Sequence, residues 1–109
     1  MTYSEIMAIA RETGLPFAYD HFAEGEVLKP PFLVFLFPDS NNFSADGKVY
    51  QKVEEVRFEL YTAKKQPNIE SQVEAIFDAH ELFYEKSEVW VESIKLYEIS
   101  YTMEVLMNG

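Results

Sequence analysis

The segment "LYEISYTMEVLM" alternates for six cycles, from Leu96 to Met107. Tyr97, Ile99, Tyr101, Met103, Val105 and Met107 fall on one side. Glu98, Ser100, Thr102 and Glu104 fall on the other. Side chains along a strand point to opposite faces, so this pattern demands a long strand with one buried and one wetted face. A sheet built around it must be antiparallel and must bury its apolar side under something else.

Two other segments supply neighbouring strands. "VRFELYT" places Val56, Phe58 and Leu60 opposite Arg57, Glu59 and Tyr61. Upstream, Val53-Glu54-Glu55-Val56 breaks the period, which predicts a bulge or bend near Glu54. "FLVFLF" (Phe32–Phe37) does not alternate, which implies burial on both faces, and Pro38 stops it. "EVWVES" (Glu88–Ser93) is a shorter strand.

The covering layer is helical. "SEIMAIARETG" has Ser4 as N-cap, an apolar stripe of Ile6, Met7, Ile9 and Ala10, and Gly14 as the terminating residue. "NIESQVEAIFDAHELF" is the second helix, with Asn68 capping it or just before it and Glu70 in the first turn. Ile69, Val73, Ile76, Phe77 and His80 form one stripe, with Glu74, Asp78 and Glu81 opposite. The expected order is α-β-β-α-β-β. The fold class is α+β, an antiparallel sheet of about four strands packed against two helices. A chain of 109 residues suits one domain, residues 1–109. Nine Phe and seven Tyr are many for this length, and mean either a dense core or aromatic surface kept for a partner.

Charge narrows the function. There are 19 acidic and 9 basic residues, a net charge of −10, and no basic cluster beyond Lys64-Lys65. A nucleic-acid backbone needs a cationic footprint, so specific nucleic-acid binding is not expected. No cysteine is present, so disulfides, thiolate catalysis and Cys-ligated zinc are excluded. "MTYSEIMAIARETG" does not read as a signal peptide. "PFLVFLF" falls well below the roughly 20 residues of a membrane span. These features point to a soluble intracellular chain.

The window "NNFSADGKVY" (Asn41–Tyr50) is polar between two apolar stretches. A calcium loop of the EF-hand type fails. Counted from Asp39, the fifth position is Phe43, the sixth is Ser44 and the twelfth is Tyr50. Asp46-Gly47 is a strong turn dipeptide, yet the window is long for a simple hairpin loop. Asn41, Asn42, Phe43, Asp46, Lys48 and Tyr50 are therefore candidates for a subunit-interface loop, mobile alone and ordered by a neighbour, with Phe43 as anchor. Tyr61 and Trp90 are candidates for an aromatic contact surface, because each sits out of phase with the apolar residues of its strand.

Catalytic candidates are poor. His21 follows Asp20, but no G-x-S-x-G presents a serine. His80 lies on a helix stripe and reads as a core or boundary residue. No P-loop, G-x-G-x-x-G or H-E-x-x-H occurs. Pairs such as Glu54-Glu55 arise readily among 19 acids. No catalytic, cofactor-binding or metal-binding residue is assigned, and no cofactor is expected.

"GLPFAYDHFAEGE", "PPFLVFLFPDSNNFSADGKVYQKVEEVRFELYT" and "KSEVWVESIKLYEISYTMEV" together resemble tail-completion or tail-terminator proteins of tailed bacteriophages and prophages of Gram-positive bacteria. The likeness runs over nearly all the chain. It is most specific in "NNFSADGKVYQKVEEVRFELYT" and in the later E-x-W-x-E-S-x-K-L-Y-E. The resemblance implies a non-enzymatic head–tail joining protein of α+β fold. It would assemble in the host cytoplasm and reside in the virion tail. It also implies a ring of self-contacts, a hexamer when assembled, that caps the tail tube and meets the head connector. DNA would pass through the ring unheld, and an acidic surface suits that passage. No ring-contact residue carries over, because no motif marks these interfaces. A second reading is a small acidic protein-binding module or inhibitor of a basic partner. A third is a small enzyme using carboxylates or His21.

Overall fold

The computed structural model describes residues 1–21, 29–40, 43–45 and 48–107. The long alternating segment is strand β7 (Leu96–Leu106), and it pairs on both sides. On one side lies β5 (Val53–Thr62), with an unbroken antiparallel register from Val53↔Leu106 to Thr62↔Tyr97. On the other lies β6 (Glu85–Val91), from Glu85↔Thr102 to Val91↔Leu96. Strand β2 (Phe32–Ser40) pairs antiparallel with β5, with a register irregularity between Leu36 and Asp39. The break expected near Glu54 thus falls on the facing strand: β5 runs regularly there, and β2 absorbs the extra residue around Pro38.

The expected α+β class holds, but the expected element order does not. Phe17–Tyr19, read as irregular, forms β1 and pairs parallel with β2. The main sheet therefore has five strands, in order β1-β2-β5-β7-β6, with one parallel edge. Three residues are too few to show a period, and a parallel partner needs a long crossover rather than a tight turn. The polar window contributes two further strands, β3 (Phe43–Ala45) and β4 (Lys48–Gln51), which form their own two-stranded sheet.

Helix α1 (Tyr3–Glu12) starts two residues earlier than a cap at Ser4 implies. Thr2, not Ser4, is the N-cap, and its hydroxyl accepts from the Glu5 amide at 3.2 Å. Met7 belongs to no core stripe and is exposed. Gly14 ends the turn as expected, at φ +73°, and its amide donates to Arg11 O at 3.1 Å. A Cβ there would meet nothing within 4 Å, so only the backbone resists substitution. Gly14→Ala is expected to cost about 1 kcal/mol through the left-handed conformation alone. A melting curve of the variant checks this.

Helix α2 (Pro67–Ala79) has Gln66 at its N-cap position, without a side-chain cap hydrogen bond, and Pro67 in its first turn, so Asn68 lies inside the helix rather than capping or preceding it. Both helices cover the same face of the sheet. Ile6, Ile9 and Ala10 of α1 and Val73 and Phe77 of α2 share one core with Leu33, Phe35, Val56, Phe58, Leu60, Ile99 and Tyr101. Much of the aromatic content is spent inside this core. Phe58 and Phe77 lie 5.0 Å apart, Phe77 and Tyr101 5.2 Å, and Tyr101 and Tyr84 5.3 Å between ring centres.

Candidate interaction surface

The residues singled out in the polar window divide in two. Asn41, Asn42 and Asp46 lie outside the described residues. Phe43 opens β3 opposite Gln51, Lys48 faces Ala45, and Tyr50 lies in β4. The window is thus largely paired strand, not an open loop.

Tyr61 and Trp90 do not form one surface. Tyr61 stands opposite Glu98, on the sheet face away from the helices. It is half-buried, stacked on Phe32 at 5.0 Å. Trp90 stands opposite Tyr97, on the helix side, packs edge-on against it at 4.9 Å and donates Nε1–H to Glu92 at 2.6 Å. Trp90 remains 42% exposed on the edge strand.

An aromatic patch that periodicity did not show lies at the opposite edge. Tyr3 of α1 packs on Phe37 of β2 at 5.0 Å, and Tyr19 of β1 reaches the same ring at 5.9 Å. Tyr3 and Tyr19 are each 54% exposed, and Met7 is exposed one turn along α1. Only the parallel placement of β1 brings these residues together. Phe83, between α2 and β6, is the most exposed large apolar side chain, at 84%.

The helix-free face carries most of its charge as acid. The register puts Asp39, Glu55, Glu59, Glu85, Glu98 and Glu104 there, against one guanidinium, Arg57. At its centre, the Tyr61 hydroxyl lies 3.0 Å from Glu59 Oε1 and 3.2 Å from Glu98 Oε2. Ser100 donates to Glu98 Oε1 at 3.2 Å, and Arg57 Nη1 stands 3.7 Å from Glu59 Oε2. Burial, together with the Glu98 charge, outweighs the Tyr61 and Arg57 contacts and raises the Glu59 pKa above the ordinary carboxylate value. Toward the Glu104 end, Glu55, Phe83, Glu85, Thr102, Met103 and Glu104 line an open groove of about 360 Å³.

On the helix side, a buried carboxylate joins α2 to the edge strand. Glu70 is 2% exposed. Lys65 Nζ lies 2.8 Å from its Oε2 and Lys86 Nζ 2.8 Å from its Oε1. Lys86 also reaches Glu74 at 2.7 Å, and Tyr101 donates to the same Glu74 oxygen at 2.8 Å. Glu74, expected on a solvated face, is therefore half-buried and bonded. Burial alone would raise the Glu70 pKa; the Lys65 and Lys86 hydrogen bonds outweigh it and hold the carboxyl below its ordinary value. This cluster was not legible, because its two lysines come from a loop and an edge strand.

The two histidines sit apart. His21 is 79% exposed in its side chain and pairs with Asp20 at 3.0 Å. His80 closes α2 and meets Glu12 of α1 at 2.9 Å, a boundary residue joining the two helices. Among the described residues, no group of three or more His, Asp or Glu is placed to hold a metal ion. No helix among them is long and apolar enough to cross a membrane.

No protein-family model matches the sequence, and no curated protein matches it. In structure, the chain is similar to a chain from the virion of a native gene transfer agent particle. The TM-score is 0.69 at 16% identity, over 98% of this chain and 91% of that one. The two chains share a fold along almost their whole lengths.

Proposed function

We propose that this chain is a non-enzymatic structural protein of phage-like virion assembly. In this reading it forms a ring, a hexamer when assembled, that caps a tail tube and joins it to the head connector. The observation that carries the reading is the near-complete fold match to a chain of a gene transfer agent virion. The tail position and the ring come from the sequence resemblance to tail-completion proteins.

The distribution of exposed apolar side chains supports a ring. Tyr3, Met7 and Tyr19 lie by β1 at one edge of the sheet; Val89 and Trp90 lie on β6 at the other. A closed ring uses two different patches on each copy, one given and one received. Tyr and Trp are the residue types that dominate such contacts. The β3–β4 hairpin, which stands outside the main sheet, is a third contact.

The test is the mass of the purified protein in solution, with electron microscopy of the protein alone and mixed with its tail-tube protein. Rings, or monomers that cap tubes, support the reading. A strict monomer that never associates with tube protein overturns it. For the hairpin, Phe43→Ser is expected to leave the melting temperature nearly unchanged and to weaken assembly. A large fall in melting temperature with assembly intact would reverse that assignment.

A further inference from the structure

We propose that the helix-free face of the sheet, across β5, β7 and β6, docks a protein partner through lysine or arginine side chains. The Glu59–Glu98 pair is its centre, and the Phe83 groove takes an adjoining apolar residue.

Three independent features lead there. The first is coverage. Both helices lie on the other face, so no helix of the described residues covers the β5–β7–β6 side. Glu55, Arg57, Glu59, Tyr61, Glu98, Ser100 and Thr102 are all partly exposed, while Glu85 and Glu104 are exposed. Val34, toward β2, is 5% exposed, so the open area is confined to the three acidic strands.

The second is a shortage of hydrogen-bond donors. Two carboxylates meet at one phenol. Tyr61 has a single hydroxyl hydrogen, and the two carboxylate oxygens lie at nearly equal distances from it, 3.0 and 3.2 Å. It can serve one of them at a time. Arg57, the one cation that the register of the described strands puts on this face, is 3.7 Å from Glu59, beyond hydrogen-bond reach. Ser100 donates to the other Glu98 oxygen, so the competition is over the two oxygens that meet at Tyr61, and a half-buried carboxylate oxygen short of a donor is costly unless one arrives from outside. An ammonium or guanidinium supplies several donors and a positive charge at once.

The third is charge complementarity. Among the described residues of the main sheet, the face carries six carboxylates, Asp39, Glu55, Glu59, Glu85, Glu98 and Glu104, against Arg57 alone. That field repels nucleic acid and attracts a basic protein surface. A second copy of this chain fits less well. Each copy carries a net charge of −10, so two copies repel rather than complement each other there. Phe83, 84% exposed at the groove, gives the contact an apolar anchor beside the charges. The docking face does not depend on the ring, and it stands or falls separately.

The experiment uses the full chain and a fluorescent peptide of alternating lysine and leucine as probe, with binding followed by anisotropy at low and moderate salt. Glu59→Gln with Glu98→Gln removes the central pair. Glu5→Gln with Glu81→Gln removes two exposed acids of the helix side and leaves the same net charge. The open-face variant should bind about tenfold more weakly, while the control changes by less than about twofold. Equal losses in both variants would mean that net charge alone draws the peptide, and would overturn the proposal. Amide shifts on peptide addition give a second readout. Shifts along β5, β7 and β6 support the site; shifts confined to α1 and α2 overturn it. Melting temperatures of both variants near that of the parent confirm that each remains folded.

Discussion

Phe77→Ala is expected to destabilise the fold by about 4 kcal/mol, the cost of removing a buried ring and leaving the space unfilled. For a domain of this size, that corresponds to a fall in melting temperature of roughly 15–25 °C. Phe77 is completely buried, and its ring meets Phe58, Tyr101 and Tyr84 at 5.0, 5.2 and 5.6 Å. These neighbours come from β5, β7 and the segment just before β6, so no single side chain can move in to fill the gap. Phe83→Ala, only six residues on, is expected to change stability by less than about 0.5 kcal/mol, because Phe83 is 84% exposed. Urea unfolding of the two variants makes the comparison. Similar losses in both would mean that α2 does not seat Phe77 on the sheet as described.

Glu70→Gln is expected to cost about 2 kcal/mol at pH 7, with the cost fading in acid. The loss stays below that of a fully isolated pair because Lys65 keeps Glu88 and Lys86 keeps Glu74. The sign follows from linkage. The Glu70 carboxyl has a lower pKa folded than unfolded. Below its ordinary value of about 4.5, the unfolded chain therefore holds the proton more often than the folded one. The stabilisation is complete above that pH and is lost as pH falls through the lower folded value. Urea midpoints of parent and variant should differ at pH 7 and converge in strong acid. A gap that stays constant with pH would show that the lysines do not act on Glu70.

The two predictions separate what could be read early from what could not. Phe77 falls on a helical stripe with Val73, and that spacing already marks it as core. Val56, Phe58 and Leu60, and Ile99 through Met107, are likewise buried where alternation places them. Glu70 occupies the same helix and reads only as an acid in a first turn. Its burial depends on Lys65 and Lys86 arriving from elsewhere.

The candidate contact residues divide along the same line. Tyr61 and Trp90 share a local signature, an aromatic out of phase with its neighbours, but pairing through β7 sends them to opposite faces. Tyr3, Tyr19 and Phe37 share no local signature, yet they meet at one edge because β1 runs parallel beside β2. The polar window reads as a long loop because its two strands are only three and four residues long, too short to show a period.

Periodicity by itself determined the helices, the two longest strands, the side of each that must be buried and, with the apolar run of β2, the α+β class. These follow from the repeat of side chains along a single element, which is local. The tertiary structure alone decided the fifth strand, the parallel edge, the Glu70 clamp and the acidic open face. Each depends on residues far apart in the chain becoming neighbours, and strand order sets that adjacency while leaving no trace in any one segment's period.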